Sequence, residues 1–138
     1  MRRGKILALD YGSKNVGLAC CDELAIAVTP LPSIPNKSRK SLLERVARLA
    51  AEQEATKVVV GIPLHMDGRA GPEADRVQNF IDQLRSSLEL PVHGIDERLS
   101  TVEAEEIWKE MTERQRTKYR SIDSLAAARI LQRYLEES

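Results

Sequence analysis

The sequence predicts an α/β protein with one mixed five-stranded sheet that carries helices on its faces. Three short apolar runs joined by brief polar turns come first, a pattern typical of an antiparallel meander. Two further apolar runs each follow a helical pattern, and strands separated by helices usually pair in parallel through right-handed crossovers. With 138 residues, of which 42% are hydrophobic, the chain is long and apolar enough for one packed core. We therefore expect residues 1–138 to form a single domain.

The three meander strands are predicted by apolar runs at Lys5–Asp10, Val16–Cys21 and Ala25–Thr29. Pro30, Pro32 and Pro35 follow the third run. Because proline has no N–H to donate to a sheet ladder, these residues exclude a central strand beyond that point. The third strand is therefore expected to lie at an edge of the sheet.

The rest of the chain alternates helices with strands, in the order β-β-β-α-β-α-β-α-α. The predicted helices are Ser38–Ala55, Pro72–Leu88, Ser100–Met111 and Ser121–Glu136, and the predicted strands between them are Lys57–Gly61 and Pro91–Ile95. Either Ser38 or Ser41 could cap the first of these helices. The polar and basic segment Thr112–Arg120 is predicted to be a loop.

The formal net charge is +0, which counts against a strongly basic, non-specific nucleic-acid binder. The charge is unevenly distributed, since residues 1–69 hold 11 Lys/Arg against 7 Asp/Glu and residues 70–138 hold 10 against 14. A basic surface that faces an acidic site would produce this asymmetry, and ordinary surface scatter would produce it as well. Both interpretations stay open.

The cysteines and the apolar runs indicate a protein of the cytoplasm. Cys20 and Cys21 are adjacent, and neighbours on a strand point to opposite faces, so we expect two buried free thiols rather than a disulfide. No apolar run approaches the ~20 residues that span a bilayer, so no membrane association is expected. The basic start Met1-Arg2-Arg3-Gly4 leads directly into a strand and does not resemble a signal peptide.

Acidic residues stand at three places that the predicted fold could bring together. Asp10 ends the first strand, Glu97 follows the last strand beside Asp96, and Asp123 lies in the first turn of the last helix. Each alone has an ordinary explanation as a turn, ion-pair or helix-dipole residue. Ligands in α/β proteins commonly bind at the carboxyl edge of the sheet, however, and hard divalent ions such as Mg²⁺ prefer oxygen ligands. We therefore predict a catalytic site in which Asp10, Glu97 and Asp123 hold two cations for phosphodiester cleavage, with Asp96 as a further ligand.

Several residues near these acids are predicted to contact a nucleic-acid backbone. Gly12 lets the chain turn close to a ligand directly after the first acid, and Lys14 lies in the same turn. His65 and Arg69 lie in the Gly/Pro segment before the second helix, whose free N–H groups would attract phosphate. Arg98 follows the acids after the last strand and could bind a phosphate next to them. An ordinary Gly/Pro loop leading into a helix explains the whole segment Gly61–Arg76 equally well.

A basic segment follows the third helix, with Arg114, Arg116, Lys118 and Arg120 in seven residues and Tyr119 among them. The cations could hold a phosphate backbone while the tyrosine ring stacks on a base. A solvated surface loop is the alternative interpretation.

Four blocks of the sequence, taken together, identify a family. Their order and spacing resemble the successive motifs of the RuvX family, also called YqgF, across nearly the whole chain. The blocks are Leu9–Asp22, Gly61–Gly71, Asp96–Thr101 and Ile122–Leu135. The resemblance implies an RNase H-like fold with strand order 3-2-1-4-5 and a Mg²⁺- or Mn²⁺-dependent nuclease site on Asp10, Glu97 and Asp123.

The same resemblance implies a substrate of structured RNA, with processing of the 5′ end of pre-16S ribosomal RNA favoured over cleavage of branched DNA at Holliday junctions. A resolvase should be a two-fold dimer, so the oligomeric state, monomer or weak homodimer, stays open. Related nucleases often take their second acid from the strand beside the first. Here Glu97 follows the last strand, and its side chain would have to cover one extra strand spacing of about 4.8 Å.

Two other classes of function are considered. The segment LDYGSKNVG also resembles the first phosphate loop of actin-like ATPases and sugar kinases, but those enzymes need a second such domain and an adenosine site. A non-catalytic RNA-binding module is the other alternative. Three carboxylates facing a phosphate backbone without metal would repel it, which disfavours that reading.

Overall fold

Five strands form one mixed sheet in the computed structural model, which describes residues 4–64, 67–97 and 100–137. The strands are β1 (Lys5–Tyr11), β2 (Asn15–Cys21), β3 (Val28–Pro35), β4 (Ala55–Ile62) and β5 (Val92–Asp96). They lie in the order β3-β2-β1-β4-β5. β1, β2 and β3 pair antiparallel, whereas β4 pairs parallel with both β1 and β5. The predicted fold class, strand order and edge position of the third strand are confirmed.

Five helices complete the fold. They are α1 (Arg39–Glu52), α2 (Pro72–Ser87), α3 (Ser100–Glu110), α4 (Glu113–Tyr119) and α5 (Ile122–Glu137). Ser38 caps α1, because its side chain accepts a hydrogen bond from the N–H of Ser41. This contact decides between the two predicted caps. No helix among the described residues is long and apolar enough to cross a bilayer.

The predicted extent of the third strand, Ala25–Thr29, is wrong. The Asp22 carboxylate accepts a hydrogen bond from the N–H of Ile26 at 2.7 Å, and the turn between β2 and β3 therefore occupies the first residues of that prediction. β3 then continues through its prolines to Pro35. Pro30 and Pro32 lie two residues apart, so both ring nitrogens face the same side of an edge strand, and Leu31 between them still pairs with Leu18.

The predicted loop Thr112–Arg120 is also wrong, because its central part forms α4. The Thr112 side chain accepts from the N–H of Gln115, and the Gln115 side chain accepts in return from the N–H of Thr112. This reciprocal capping box satisfies two backbone donors that a short helix would otherwise leave unpaired. The Thr-x-x-Gln spacing was the sequence signal for it.

The two faces of the sheet carry different side chains. Large aliphatic residues of β1, β2 and β4 pack with Phe80 against α1 and α2. The opposite face packs smaller residues, among them Ala8 and Ala19, against Ala127 and Ala128 of α5. Small side chains allow a helix to approach a sheet closely, so the start of α5 lies directly over the strand ends of the meander. Both cysteines are buried thiols that form no disulfide, as predicted.

Candidate active site

Asp10 lies near the carboxyl end of β1, on the face of the sheet that α5 covers. Alternation along the strand puts Ile6, Ala8 and Asp10 on this face. In the antiparallel pairing Asp10 stands opposite Gly17 of β2. The parallel pairing of β1 with β4 runs through Leu9 and Val60, which puts Asp10 beside Gly61.

Glu97 reaches Asp10 by crossing over β4. Its N–H donates to the carbonyl of Ile62 at 3.1 Å, which extends the β4–β5 ladder one residue beyond β5. Its side chain then passes over Gly61, where a Cβ would lie 2.7 Å from Glu97 Cδ and 2.8 Å from Oε2. The carboxyl groups of Glu97 and Asp10 are in hydrogen-bonding contact. The extra strand spacing is therefore covered by the longer glutamate arm.

Asp123 is placed by the first turn of α5. Ser121 caps this helix, since its hydroxyl accepts from the N–H of Ser124 at 3.1 Å. The buried Ser124 hydroxyl donates to the Leu31 carbonyl and so attaches the turn to β3. The backbone of Asp123 lies directly over Gly17. Both contacts fix the helix start above β2, beside Asp10.

Burial raises the pKa of all three acids, and repulsion between carboxylates adds to the rise for Asp10 and Glu97. Burial, followed by the charge of Asp10, raises the pKa of Glu97 to about 9. Burial also raises the pKa of Asp10 to about 6, and the charge of Asp123 adds to the rise while the contact with Glu97 opposes it. Burial raises the pKa of Asp123 as well. Without cations, Asp10 and Glu97 therefore share a proton near neutral pH.

The three acids line one end of a cleft of about 830 Å³ at the rim of the sheet. The other end is formed by the residues before and at the starts of α1 and α2. Three basic residues line it there, namely Lys37, Arg39 and Arg76. The cleft thus presents carboxylates and cations to the same occupant, as a site for a metal-bound phosphate would.

The acids fit a divalent cation chemically. Glu97 is only 4% exposed, and its Oε2 finds no hydrogen-bond donor among the described residues. A buried carboxylate oxygen without a donor is costly unless a proton or a cation satisfies it. Among the described residues, no three His, Cys, Asp or Glu side chains lie close enough together to hold one metal ion, so Asp10, Glu97 and Asp123 do not form a ready-made three-ligand site. Mg²⁺ does not require one, because it keeps several waters and often takes only one or two carboxylates.

Some of the other predicted site residues lie at the cleft and some do not. Gly12 lines it, whereas Lys14 is exposed in the β1–β2 turn and Arg69 is exposed and paired with Asp67 at 2.6 Å. Asp96 ends β5, and strand alternation points it to the opposite face from Glu97. Its charge still raises the pKa of Glu97. The predictions for His65 and Arg98 fall outside the described residues.

The basic residues of α4 do not line the cleft. Arg116 donates to the carbonyl of Trp108 at 2.9 Å and lies over the Trp108 ring at 5.4 Å, so its cation joins α4 to α3. Tyr119 is partly buried against the cluster of Ala104, Leu125 and Ala126. Arg114, Lys118 and Arg120 are exposed. A nucleic-acid role for α4 would require a substrate that extends beyond the cleft.

Sequence reasoning missed Lys37, Arg39 and Arg76 as cleft residues. The signal for Lys37 and Arg39 was their position on either side of the cap residue Ser38, at a helix start. Arg76 closes the Gly/Pro segment that was already predicted to bind phosphate. Their approach to Asp10 depends on how both helices pack on the sheet, which spacing alone does not reveal.

The sheet order, the helices on both faces and the acids at one rim define an RNase H-like protein with a carboxylate site. The family described as "RuvX: Holliday junction resolvase" matches residues 4–137. The chain belongs to the RuvX family, as its motifs predicted.

Relatives of similar length carry a ribosomal RNA name. Proteins named "Putative pre-16S rRNA nuclease" from Roseiflexus sp. (strain RS-1) and Halothermothrix orenii are 37% and 40% identical to this chain. The alignments cover 96% and 95% of this chain, and 94% of each relative.

Solved structures confirm the fold. T. thermophilus RuvC in complex with a Holliday junction substrate superposes with a TM-score of 0.61 at 14% identity, covering 99% of this chain and 97% of RuvC. The fowlpox virus Holliday junction resolvase gives 0.60 at 17% identity, covering 97% of this chain and 99% of the resolvase. At these identities the likeness is one of fold.

Proposed function

We propose that this chain is a metal-dependent nuclease that processes the 5′ end of pre-16S ribosomal RNA in the cytoplasm, with residues 1–138 acting as one domain. The observation that carries the proposal is the convergence of Asp10, Glu97 and Asp123 at one end of the rim cleft. Each acid comes from a different part of the chain, and Glu97 crosses a neighbouring strand to reach the others. A fold does not gather one buried and two partly buried carboxylates for stability, since they repel one another when no cation is bound.

Relatives and family favour this chemistry over the alternatives. The near-full-length relatives carry the pre-16S rRNA nuclease name at 37% to 40% identity, and the family description is a phosphodiester-cleaving resolvase. The ribosomal substrate is therefore the first candidate.

Asp10, Glu97 and Asp123 would hold two Mg²⁺ or Mn²⁺ ions. When bound, such ions supply the positive charge that activates an attacking water and stabilises the leaving oxygen of a phosphodiester. Glu97 contributes a buried oxygen that lacks a protein donor, so a cation would replace the proton that it otherwise shares with Asp10. Asp123 comes from the opposite side of Asp10 and completes the acidic set.

The substrate backbone would enter the cleft between α1 and α2. Lys37 and Arg76 line it, are exposed and make no ion pair with any described residue, so both cations are available to phosphate. Arg39 is engaged already, because its guanidinium donates to the Tyr11 hydroxyl at 2.9 Å and to Gln83. We assign Arg39 to shaping the cleft wall, and Lys37 and Arg76 to binding the strand.

The proposal is tested with a transcript that carries the 16S 5′ leader, incubated with wild type and with Asp10→Asn in Mn²⁺. Cleavage at the leader boundary by wild type alone is expected. Cutting that survives in Asp10→Asn would place the activity elsewhere or in a contaminant. Equal RNA binding by both proteins with no cutting by either would identify a binding module instead.

Holliday junction cleavage is the second candidate, favoured by the family description. Symmetric cutting of a four-way junction requires two active sites related by a two-fold axis. The discriminating measurements are paired nicks on a four-way DNA junction and the mass of the protein in solution. A strict monomer that leaves junctions intact would exclude resolution and leave RNA processing untouched.

A further inference from the structure

A row of residues across three adjacent strands has glycine on both sides of Asp10. Gly17 of β2 stands opposite Asp10 in the antiparallel pairing, and the β1–β4 register puts Gly61 on its other side. Both glycines would direct a Cβ to the α5 face, the face from which Asp123 and Glu97 arrive. Each of the two other acids thus passes over a glycine next to Asp10.

The space above Gly17 is filled by the backbone of α5. A Cβ on Gly17 would overlap the carbonyl group of Asp123 and lie 3.0 Å from its Cβ. Backbone atoms cannot rotate away, so any side chain at this position would displace the first turn of α5. That turn is also fixed to β3 through Ser124, which leaves it little room to adjust.

The space above Gly61 is filled by the carboxyl group of Glu97. A Cβ there would lie 2.7 Å from Glu97 Cδ, 2.8 Å from its Oε2 and 2.6 Å from Cδ1 of Ile130. All three atoms are ends of flexible side chains. A methyl group at this position would therefore leave the fold in place and turn Glu97 away from Asp10.

Close packing of α5 alone does not demand these glycines. The preceding row on the same face is Ala19, Ala8 and Val59, which all carry a Cβ beneath the helix and are fully buried. Among the described rows of β2, β1 and β4, only that of Asp10 has glycine on both sides, and there the neighbouring space is occupied by the other two acids.

We propose that Gly17 and Gly61 are positioning residues for the acidic site, each opening the space through which one further carboxylate reaches Asp10. Gly17 admits the backbone that carries Asp123, and Gly61 admits the side chain of Glu97. The inference rests on the proposed function in that these acids are taken as the cation-binding set. It assigns a role to two residues that touch neither substrate nor cation.

The first test measures Mn²⁺ binding by the loss of the free-ion EPR signal, with no nucleic acid present. Gly61→Ala is expected to weaken binding about 10-fold to 100-fold, the range for residues that orient metal ligands. Gly94→Ala is the matched control. Its Cβ would overlap Cδ1 of Ile62, also the flexible end of an isoleucine, but on the side of Ile81 and away from the acids. Unchanged Mn²⁺ affinity in Gly61→Ala, or an equal loss in Gly94→Ala, would overturn the proposal.

The second test asks whether Gly61 acts through the bulk of Glu97, using thermal unfolding without metal. Gly61→Ala is expected to lower the temperature midpoint of unfolding. This decrease should be clearly smaller in a Glu97→Ala background, because the carboxyl group that the new methyl group would collide with is absent. It should persist in Glu97→Gln, which keeps the bulk and removes the charge. Contact with Ile130 is common to all backgrounds and cancels. Equal losses in all three backgrounds would contradict the proposal.

Gly17→Ala is expected to lower the unfolding midpoint more than Gly61→Ala, since it displaces backbone rather than side-chain ends. A smaller loss than that of Gly61→Ala would contradict the role given to Gly17. Failure of the proposed function has a separate result, in which Asp10→Asn and Glu97→Ala bind Mn²⁺ as tightly as wild type. The coupling between Gly61 and Glu97 in metal-free protein would still be measured in that case.

Discussion

The two faces of the sheet differ in the size of their side chains, and the difference separates stability from chemistry. The face toward α1 and α2 buries large residues such as Leu9, Phe80 and Leu84. The face toward α5 uses alanine and, at the rim, Gly17 and Gly61. Buried apolar area stabilises a fold by roughly 25 cal/mol per Å², so the first face supplies more of the hydrophobic stabilisation. The small residues of the second face let α5 and the Glu97 side chain lie close to β1, so that three acids on separate elements can come together.

Removing one acid should show most clearly that the face toward α5 serves chemistry and not stability. Asp10→Asn is expected to reduce cleavage to the level of a protein-free control, because a neutral amide oxygen lacks the negative charge with which a carboxylate binds and neutralises a divalent cation. Its unfolding midpoint in metal-free buffer should equal or exceed that of wild type, since repulsion within the cluster falls. Glu44→Gln, an exposed acid of α1 outside the cleft, should keep full cleavage. A clear drop in midpoint for Asp10→Asn would contradict this division.

Truncating a large side chain on the face toward α1 and α2 should have the opposite effect, lowering stability while leaving cation binding unchanged. Leu84 is fully buried, and Leu84→Ala is expected to lower the free energy of unfolding by about 2–5 kcal/mol. On the other face, Ala127→Gly removes one methyl group within α5 and should cost about 1 kcal/mol, mostly as helix propensity. Denaturant unfolding measures both. Folded Leu84→Ala should keep the Mn²⁺ affinity of wild type. Similar losses in the free energy of unfolding for the two variants would contradict the proposed difference between the two faces.

The acidic rim should also make stability depend on pH in the absence of metal. The folded protein holds its protons more tightly than the unfolded chain, since the pKa rises from 3.8 to about 6 for Asp10 and from 4.5 to about 9 for Glu97. The stability from these groups is therefore greatest in acid and is lost as pH rises through those intervals. Glu97→Gln cannot ionise, so its midpoint should overtake that of wild type progressively between pH 5 and about 9. A difference that stays flat with pH would show that Glu97 does not titrate in this way.

Sequence patterns predicted the fold correctly and selected three acids that line one cleft, because both depend on local features. The catalytic role of these acids stays a prediction. Alternating apolar runs mark strands, and an acid directly after such a run, as with Asp10 and Glu97, lies at the carboxyl edge of the sheet. Asp123 follows the same logic, because a residue in the first turn of a helix faces the strand ends that the helix covers. The family resemblance added the cation and substrate classes, and it fixed the strand order.

The features that escaped prediction depend on contacts between distant segments or on weak local signals. Which glycines flank Asp10 follows from the strand register, and that cannot be read from Gly17 or Gly61 singly. The contacts of Arg116 with Trp108 likewise depend on how α3 and α4 pack, which the sequence does not show. α4 escapes prediction although Thr112 and Gln115 have capping-box spacing, because its polar and basic composition is equally typical of a loop.

The smallest effects should separate the two basic regions, the cleft and α4. Lys37→Ala and Arg76→Ala, in an Asp10→Asn background with Mg²⁺, should each weaken binding of a structured RNA and reduce its log–log salt dependence by about 0.7–0.9. Lys118→Ala, an exposed cation of α4 outside the cleft, is the charge-matched comparison and should leave the slope nearly unchanged. Fluorescence anisotropy at several salt concentrations measures all three. The slope of the salt dependence reports how many phosphates the cations neutralise. A larger change in slope for Lys118→Ala than for the cleft variants would therefore indicate that the RNA backbone binds along α4 and not in the cleft.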